Sequence, residues 1–268
     1  MFKNTAAVLA AMTVVSFAHA GEVGMDQKLE QVYDLYRKGD TVSLKPSEMQ
    51  VGMGFSYQTS NKNTLGLEES ESVLATQVFA SRGFGEGIEA SVAVPYLMRS
   101  ARTGTIAAVL QDQSASGIGN PTFRIIKTLP TQNLSTSAVL VISPNWGSSK
   151  VSADDTHTSF GVSASKTLRP AFVSGGLSWE HDWRAGVNGI GYNAGIGFFL
   201  NHALSLGGQV SGVIVMNPKM GTARDTTALG IKAAYQATPD FCLVTSVDFG
   251  IGSDTSPATV GVTAYWRY

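Results

Sequence analysis

In the stretch SEMQVGMGFSYQTS, residues 47–60, Met49, Val51, Met53, Phe55 and Tyr57 are large and apolar, while Gln50, Gly52, Gly54, Ser56 and Gln58 between them are small or uncharged. Successive side chains of a strand point to opposite faces, so this pattern predicts a two-faced β-strand. The period of two persists to the last residue and divides into twelve predicted strands: 48–58, 70–81, 87–99, 117–129, 134–146, 157–168, 171–183, 189–201, 203–216, 226–238, 240–251 and 257–268. A strand of about 9 to 11 residues crosses a bilayer when tilted. Strands of soluble domains are commonly only about 5 or 6 residues long.

The connections alternate in length. Tight turns such as TLRPA, LNHA and ATPDF join one set of neighbours, and longer polar stretches such as RSARTGTIAAVLQDQSASG, WGSSKVSADDT and NPKMGTARD join the other. Outer-membrane barrels show that alternation, with short periplasmic turns and long extracellular loops. Most prolines fall at strand ends or turns; Pro95 and Pro144 fall inside predicted strands and call for a bulge or an early strand end.

Two architectures produce such alternation: a soluble sandwich with its apolar face inward, and a transmembrane barrel with its apolar face toward lipid. The polar face separates them. It reads Ser159, Gly161, Ser163, Ser165, Thr167 in one strand and Gly191, Asn193, Gly195, Gly197 in another. A water-facing surface would carry more Lys and Glu. Charged residues make up 15% of the chain, where soluble domains average about 25%. Tyr57, Tyr96, Trp146, Trp179, Trp183 and Tyr192 fall toward one set of strand ends, with Trp266 and Tyr268 toward the other, as interfacial aromatic girdles require. The predicted fold is an all-β, twelve-stranded antiparallel transmembrane barrel over 47–268.

Ahead of it, the apolar run from Ala6 to Phe17 and the Ala18-His19-Ala20 exit predict a signal peptide over 1–20. Residues 21–46 form a periplasmic N-terminal segment. Within it, Leu29, Val32, Tyr33 and Tyr36 recur at helical spacing before Gly39, predicting a short amphipathic helix over 26–40. The single cysteine, Cys242, excludes an internal disulfide. A net charge of −1 gives no footprint for nucleic acid.

Two segments resemble the meta-pathway phenol-degradation family of outer-membrane transporters. VAVPYL, Val92 to Leu97, is similar to that family's apolar strand ending in a Pro-Tyr pair. SGIGNPTFRIIKTL, Ser116 to Leu129, looks like its Gly-x-Gly-Asp turn entering an amphipathic strand, with Asn120 where Asp is usual. The closing YWRY resembles the C-terminal aromatic signal read by outer-membrane assembly machinery. The resemblance implies a channel for small aromatic or apolar solutes in the bacterial outer membrane.

Catalytic and metal chemistry finds little support in the sequence. His157 and Ser159 share a strand face, as nucleophile activation requires, but no acid follows on that strand to orient the histidine, and a lipase would need an outward serine. Glu180, His181 and Asp182 alternate faces and do not converge on an ion. GFGEG over 83–87 precedes no helix and reads as a turn. No cofactor or metal is expected. The candidate site is the set of polar side chains predicted to point into the barrel: Glu89, Arg99, Arg124, Glu180, Asp182, Asn193, Gln209, Lys232, Asp248 and Arg267. They read equally as a selectivity lining and as a salt-bridge network filling a closed barrel. The expected function is passive passage of a small solute. Polypeptide export is the runner-up, with an outer-membrane lipase or a purely structural barrel behind it, and association of barrels is left open.

Overall fold

The structure is a computed structural model that describes residues 44–268 except 65–66, 106–107, 131–133, 153, 169, 202, 217–225 and 252–257. The expected signal peptide and amphipathic helix lie outside the described residues. The strands are β1 (Met49–Thr64), β2 (Leu67–Gly85), β3 (Ile88–Thr105), β4 (Ala108–Ile118), β5 (Thr122–Pro130), β6 (Ser135–Ser143), β7 (His157–Thr167), β8 (Ala171–Asp182), β9 (Val187–Phe199), β10 (Leu204–Val215), β11 (Thr226–Thr238), β12 (Phe241–Ile251) and β13 (Ala258–Arg267).

All are antiparallel and form one sheet in the order β2-β1-β13-β12-β11-β10-β9-β8-β7-β6-β5-β3, which β2–β3 pairing closes into a barrel. β4 and β5 occupy one position in turn, so the closed barrel has twelve positions. The first and last strands meet at a seam: Met49 N–H donates to Tyr268 O at 3.1 Å, and Tyr268 N–H to Met49 O at 2.9 Å.

Burial settles which face looks outward. In β1, Met49, Met53, Phe55 and Tyr57 are 40–50% exposed, while Gln50 and Gln58 are 1% and 8% exposed. Every strand from β1 to β13 presents at least one exposed large apolar side chain, for example Phe160, Leu177, Leu229 and Phe249. In water that belt would forgo the stabilisation of apolar burial, about 25 cal/mol per Å². In hydrocarbon it costs nothing, and closure leaves no unpaired backbone edge to face lipid.

The turns obey local backbone chemistry. Gly85 and Gly87 take φ of 94° and 74° at the β2–β3 turn, a region in which glycine bears no Cβ penalty. In the β9–β10 turn, the Asn201 side-chain oxygen accepts the Ala203 and Leu204 amides at 2.8 and 2.9 Å.

Two stretches expected as long loops are strand instead. β1 and β2 stay paired out to Thr64↔Leu67, and the 100–116 region is a hairpin whose arms are the end of β3 and β4, paired out to Thr105↔Ala108. The predicted strand 117–129 is broken: β4 ends at Ile118 and β5 begins at Thr122, with Pro121 between. Pro95 sits inside β3 opposite this break. β3 pairs with β5 through Ile88–Ala93 and with β4 from Tyr96 onward, so the missing Pro95 amide falls where no ladder bond is called for. Its carbonyl accepts Gly119 N–H at 2.7 Å. Pro144 ends β6 early, at Ser143.

The β6–β7 loop closes over the break. Ser148 N–H donates to Ile118 O at 2.7 Å, Gly147 N–H to Asn120 Oδ1 at 2.9 Å, and Ser143 Oγ to Pro121 O at 3.0 Å. Val151 is buried beneath, and Trp146 stacks edge-on against Phe123 with centroids 5.8 Å apart. The far end of the loop is tied to the β8–β9 turn, because Asp155 accepts the amides of Arg184 and Ala185 at 2.7 and 2.9 Å.

Candidate functional site

Register assigns each polar candidate to a face. Starting from Gln50 and Gly52, cross-strand partners on the same face run through Arg267 and Tyr265 on β13, Cys242 and Asp248 on β12, and Lys232 and Ala234 on β11. They continue through Gln209 on β10, Asn193 on β9, Glu180 and Asp182 on β8, and His157 and Ser159 on β7. On β5 and β3 the same face carries Arg124, Glu89 and Arg99. Glu89, Arg99, Arg124, Glu180, Asp182, Asn193, Gln209, Lys232, Asp248 and Arg267 thus all lie opposite the exposed apolar belt.

They fall into separate clusters around the wall. On β7 and β8, His157 Nδ1 and Asp182 Oδ1 are 2.9 Å apart, and Ser178 Oγ donates to Glu180 Oε1 at 3.2 Å. Glu180 lies over Gly191, whose hydrogen leaves room that a Cβ, 2.5 Å from Glu180 Oε1, would take. On β10 and β12, Gln209 Nε2 donates to Asp248 Oδ1 at 3.0 Å across Gly230. Arg99 pairs with Glu71 on β2, and Arg267 Nη1 lies 4.0 Å from Glu48 Oε1. Glu89 is 2% exposed and turned toward the chain entering β1: its Oε2 accepts Leu44 N–H at 2.9 Å, and Leu44 is itself 2% exposed.

The histidine does have an acid after all, supplied by β8 rather than by its own strand. Ser159 pairs with Glu180 across the β7–β8 ladder, and among the described residues no hydrogen bond joins it to His157. The imidazole is thus engaged by Asp182 and not by Ser159. Among the described residues, no group of three or more His, Cys, Asp or Glu is placed to hold a metal ion.

The face also carries aromatic rings that period-two reading does not single out. Phe79 and Tyr265 pack at 5.2 Å between centroids, and Phe172 and Phe199 at 5.0 Å, tilted by 60° and 46°. Each pair has a ring lying on a glycine of the neighbouring strand. A Cβ at Gly52 would fall 2.1 Å from Phe79 Cζ, and one at Gly197 would fall 2.0 Å from Phe172 Cζ. Both faces are apolar at Val78-Phe79, Phe172-Val173, Phe198-Phe199 and Tyr265-Trp266, local breaks in the alternation that are the sequence trace of these seats.

A closed antiparallel barrel with an apolar exterior and a polar, glycine-rich interior is a transmembrane β-barrel of the bacterial outer-membrane type. Among solved structures, the chain is similar to the COG4313 outer membrane channel from Pseudomonas putida F1, with TM-score 0.65 and 13% identity over 86% of this chain and 98% of that one. It is also similar to the translocator domain of autotransporter NalP from Neisseria meningitidis, with TM-score 0.55 and 10% identity over the whole of both chains. A third similar structure is the β domain of the Bordetella autotransporter BrkA, with TM-score 0.52 and 10% identity over 82% of this chain and 99% of that one. No family model and no curated protein matches the sequence.

Proposed function

We propose that the barrel is a passive outer-membrane channel for small solutes of aromatic or apolar character, whose path is lined by Glu89, Arg99, Arg124, Glu180, Asp182, Asn193, Gln209, Lys232, Asp248 and Arg267. The observation that carries this reading is the near absence of bulk on one long arc of the inner wall. Gly161, Ser163 and Ser165 on β7 face Ser178, Gly176 and Ser174 on β8, which face Gly191, Asn193 and Gly195 on β9. A barrel stabilised by filling its interior requires large interlocking side chains there, as small closed barrels do. The polar groups form local clusters on separate parts of the wall, which suits a selectivity lining along the path. The likeness to a protein named an outer membrane channel is in keeping with this.

Purified, folded protein reconstituted into planar bilayers is expected to give discrete conductance steps, and liposomes containing it to admit small solutes. Absence of both would leave a structural barrel. Accumulation of a periplasmic polypeptide in a deletion strain, with normal solute uptake, would favour export instead.

A further inference from the structure

The two aromatic pairs stand on opposite walls. Phe79 and Tyr265 belong to β2 and β13, on either side of β1, while Phe172 and Phe199 belong to β8 and β9. Between the pairs the barrel places β12, β11 and β10 on one side and β3, β5, β6 and β7 on the other, so they are close to diametrically opposed. Both lie toward the short-turn end: Phe172 is the second residue of β8, Phe199 the last of β9, and Phe79 is level with Gly52, the fourth residue of β1. With strands about 4.8 Å apart and tilted about 40°, twelve positions close on a backbone diameter of roughly 24 Å. At that level both walls carry aromatic rings, where the serine and glycine arc carries almost no side chain.

Within each pair the two rings differ. Tyr265 and Phe172 are 8% and 6% exposed, whereas Phe79 and Phe199 are half-buried. In the first pair the half-buried Phe79 lies on Gly52 and packs against the buried Tyr265; in the second the buried Phe172 lies on Gly197 and Phe199 packs against it, both at a tilt suited to aromatic pairing. Glycine at positions 52 and 197 adds to this by letting a ring lie flat where any Cβ would displace it. Such packing holds a ring in place before anything binds, so little side-chain entropy is lost on contact with a solute.

We propose that Phe79 and Phe199 are specificity-determining residues of the passage, presenting two fixed, opposed aromatic surfaces that favour uncharged solutes carrying a flat unsaturated ring over saturated solutes of the same size. The proposal rests on the channel reading for its role in passage, but not for binding itself. A ring against a ring gains from offset or edge-on quadrupole alignment, which a saturated ring of equal bulk does not offer.

The test compares benzyl alcohol with cyclohexylmethanol on the full-length protein, by block of single-channel current and by saturation-transfer NMR in detergent. Wild-type protein is expected to bind and be blocked by benzyl alcohol at about three- to tenfold lower concentration. That preference is expected to vanish in Phe79→Leu/Phe199→Leu, which keeps apolar bulk, to persist in Phe79→Tyr, and to be untouched by the outward control Phe160→Leu. Resistance to unfolding on gels verifies that each variant is folded. Equal affinity for the two alcohols in wild type, or an unchanged preference in the double leucine variant, overturns the proposal even if current flows. Ring-dependent binding without any current would instead sink the channel reading and leave the aromatic site standing.

Discussion

At the scale of single residues, the clearest adaptation is Asn120. An aspartate there could accept the Gly147 amide, as Asn120 Oδ1 does, but only an amide side chain also donates, as Nδ2 does to Asp155 O at 3.3 Å. The residue therefore pins both halves of the β6–β7 loop across the broken position between β4 and β5. Asn120→Asp is expected to weaken the loop mildly. Asn120→Ala should cost about 1–3 kcal/mol by stranding a part-buried amide, read as a lower thermal midpoint and faster protease cutting within 144–156. Polar inner-face positions such as Gln209 and Asp248 are legible in the sequence because period two fixes their side. Phe79, Phe172, Phe199 and Tyr265 are not, since a ring on a glycine is a cross-strand relation and the register that creates it cannot be read from one strand.

Among elements, period two locates the strands but does not say where a pairing stops. The 100–116 stretch is polar enough to read as loop, yet β3 and β4 pair through it, because ladder hydrogen bonds are made by the backbone and need no apolar face. Conversely, the predicted strand over 117–129 hides a break: Gly119 and Pro121 interrupt the ladder, and the outward set passes from Ile118 to Phe123 and Ile125, a change of phase that is the trace of the break in the sequence. Pro95 marks the same place from the neighbouring strand. Pro95→Ala is accordingly expected to leave folding yield into lipid and urea midpoint nearly unchanged. Leu140→Pro, in the middle of β6 with partners Ile125 and Phe160 on both sides, should lower both sharply. Equal sensitivity at the two positions would mean that β3 carries a continuous ladder at Pro95.

For the whole molecule, one inversion organises everything: the apolar rows face out and the wet face is enclosed. It explains the low charge content, the exposed Phe and Met rows, the small residues inside and the absence of any open sheet edge among the β1–β3 and β5–β13 pairings. Twelve positions, antiparallel order and the side of each strand were all legible, because lipid imposes a simple rule on every span. The size of the bore and the solute it admits depend on rings, loops and ion pairs that meet only after closure.

The most direct measurement places single cysteines at positions 53 to 58 of β1 in a Cys242→Ala background, attaches an environment-sensitive fluorophore to each in reconstituted vesicles, and records quenching by nitroxide-labelled lipids. Labels at 53, 55 and 57 should be quenched strongly and those at 54, 56 and 58 weakly, a strict alternation. Uniform quenching, or an alternation of opposite phase, would contradict the inside-out barrel.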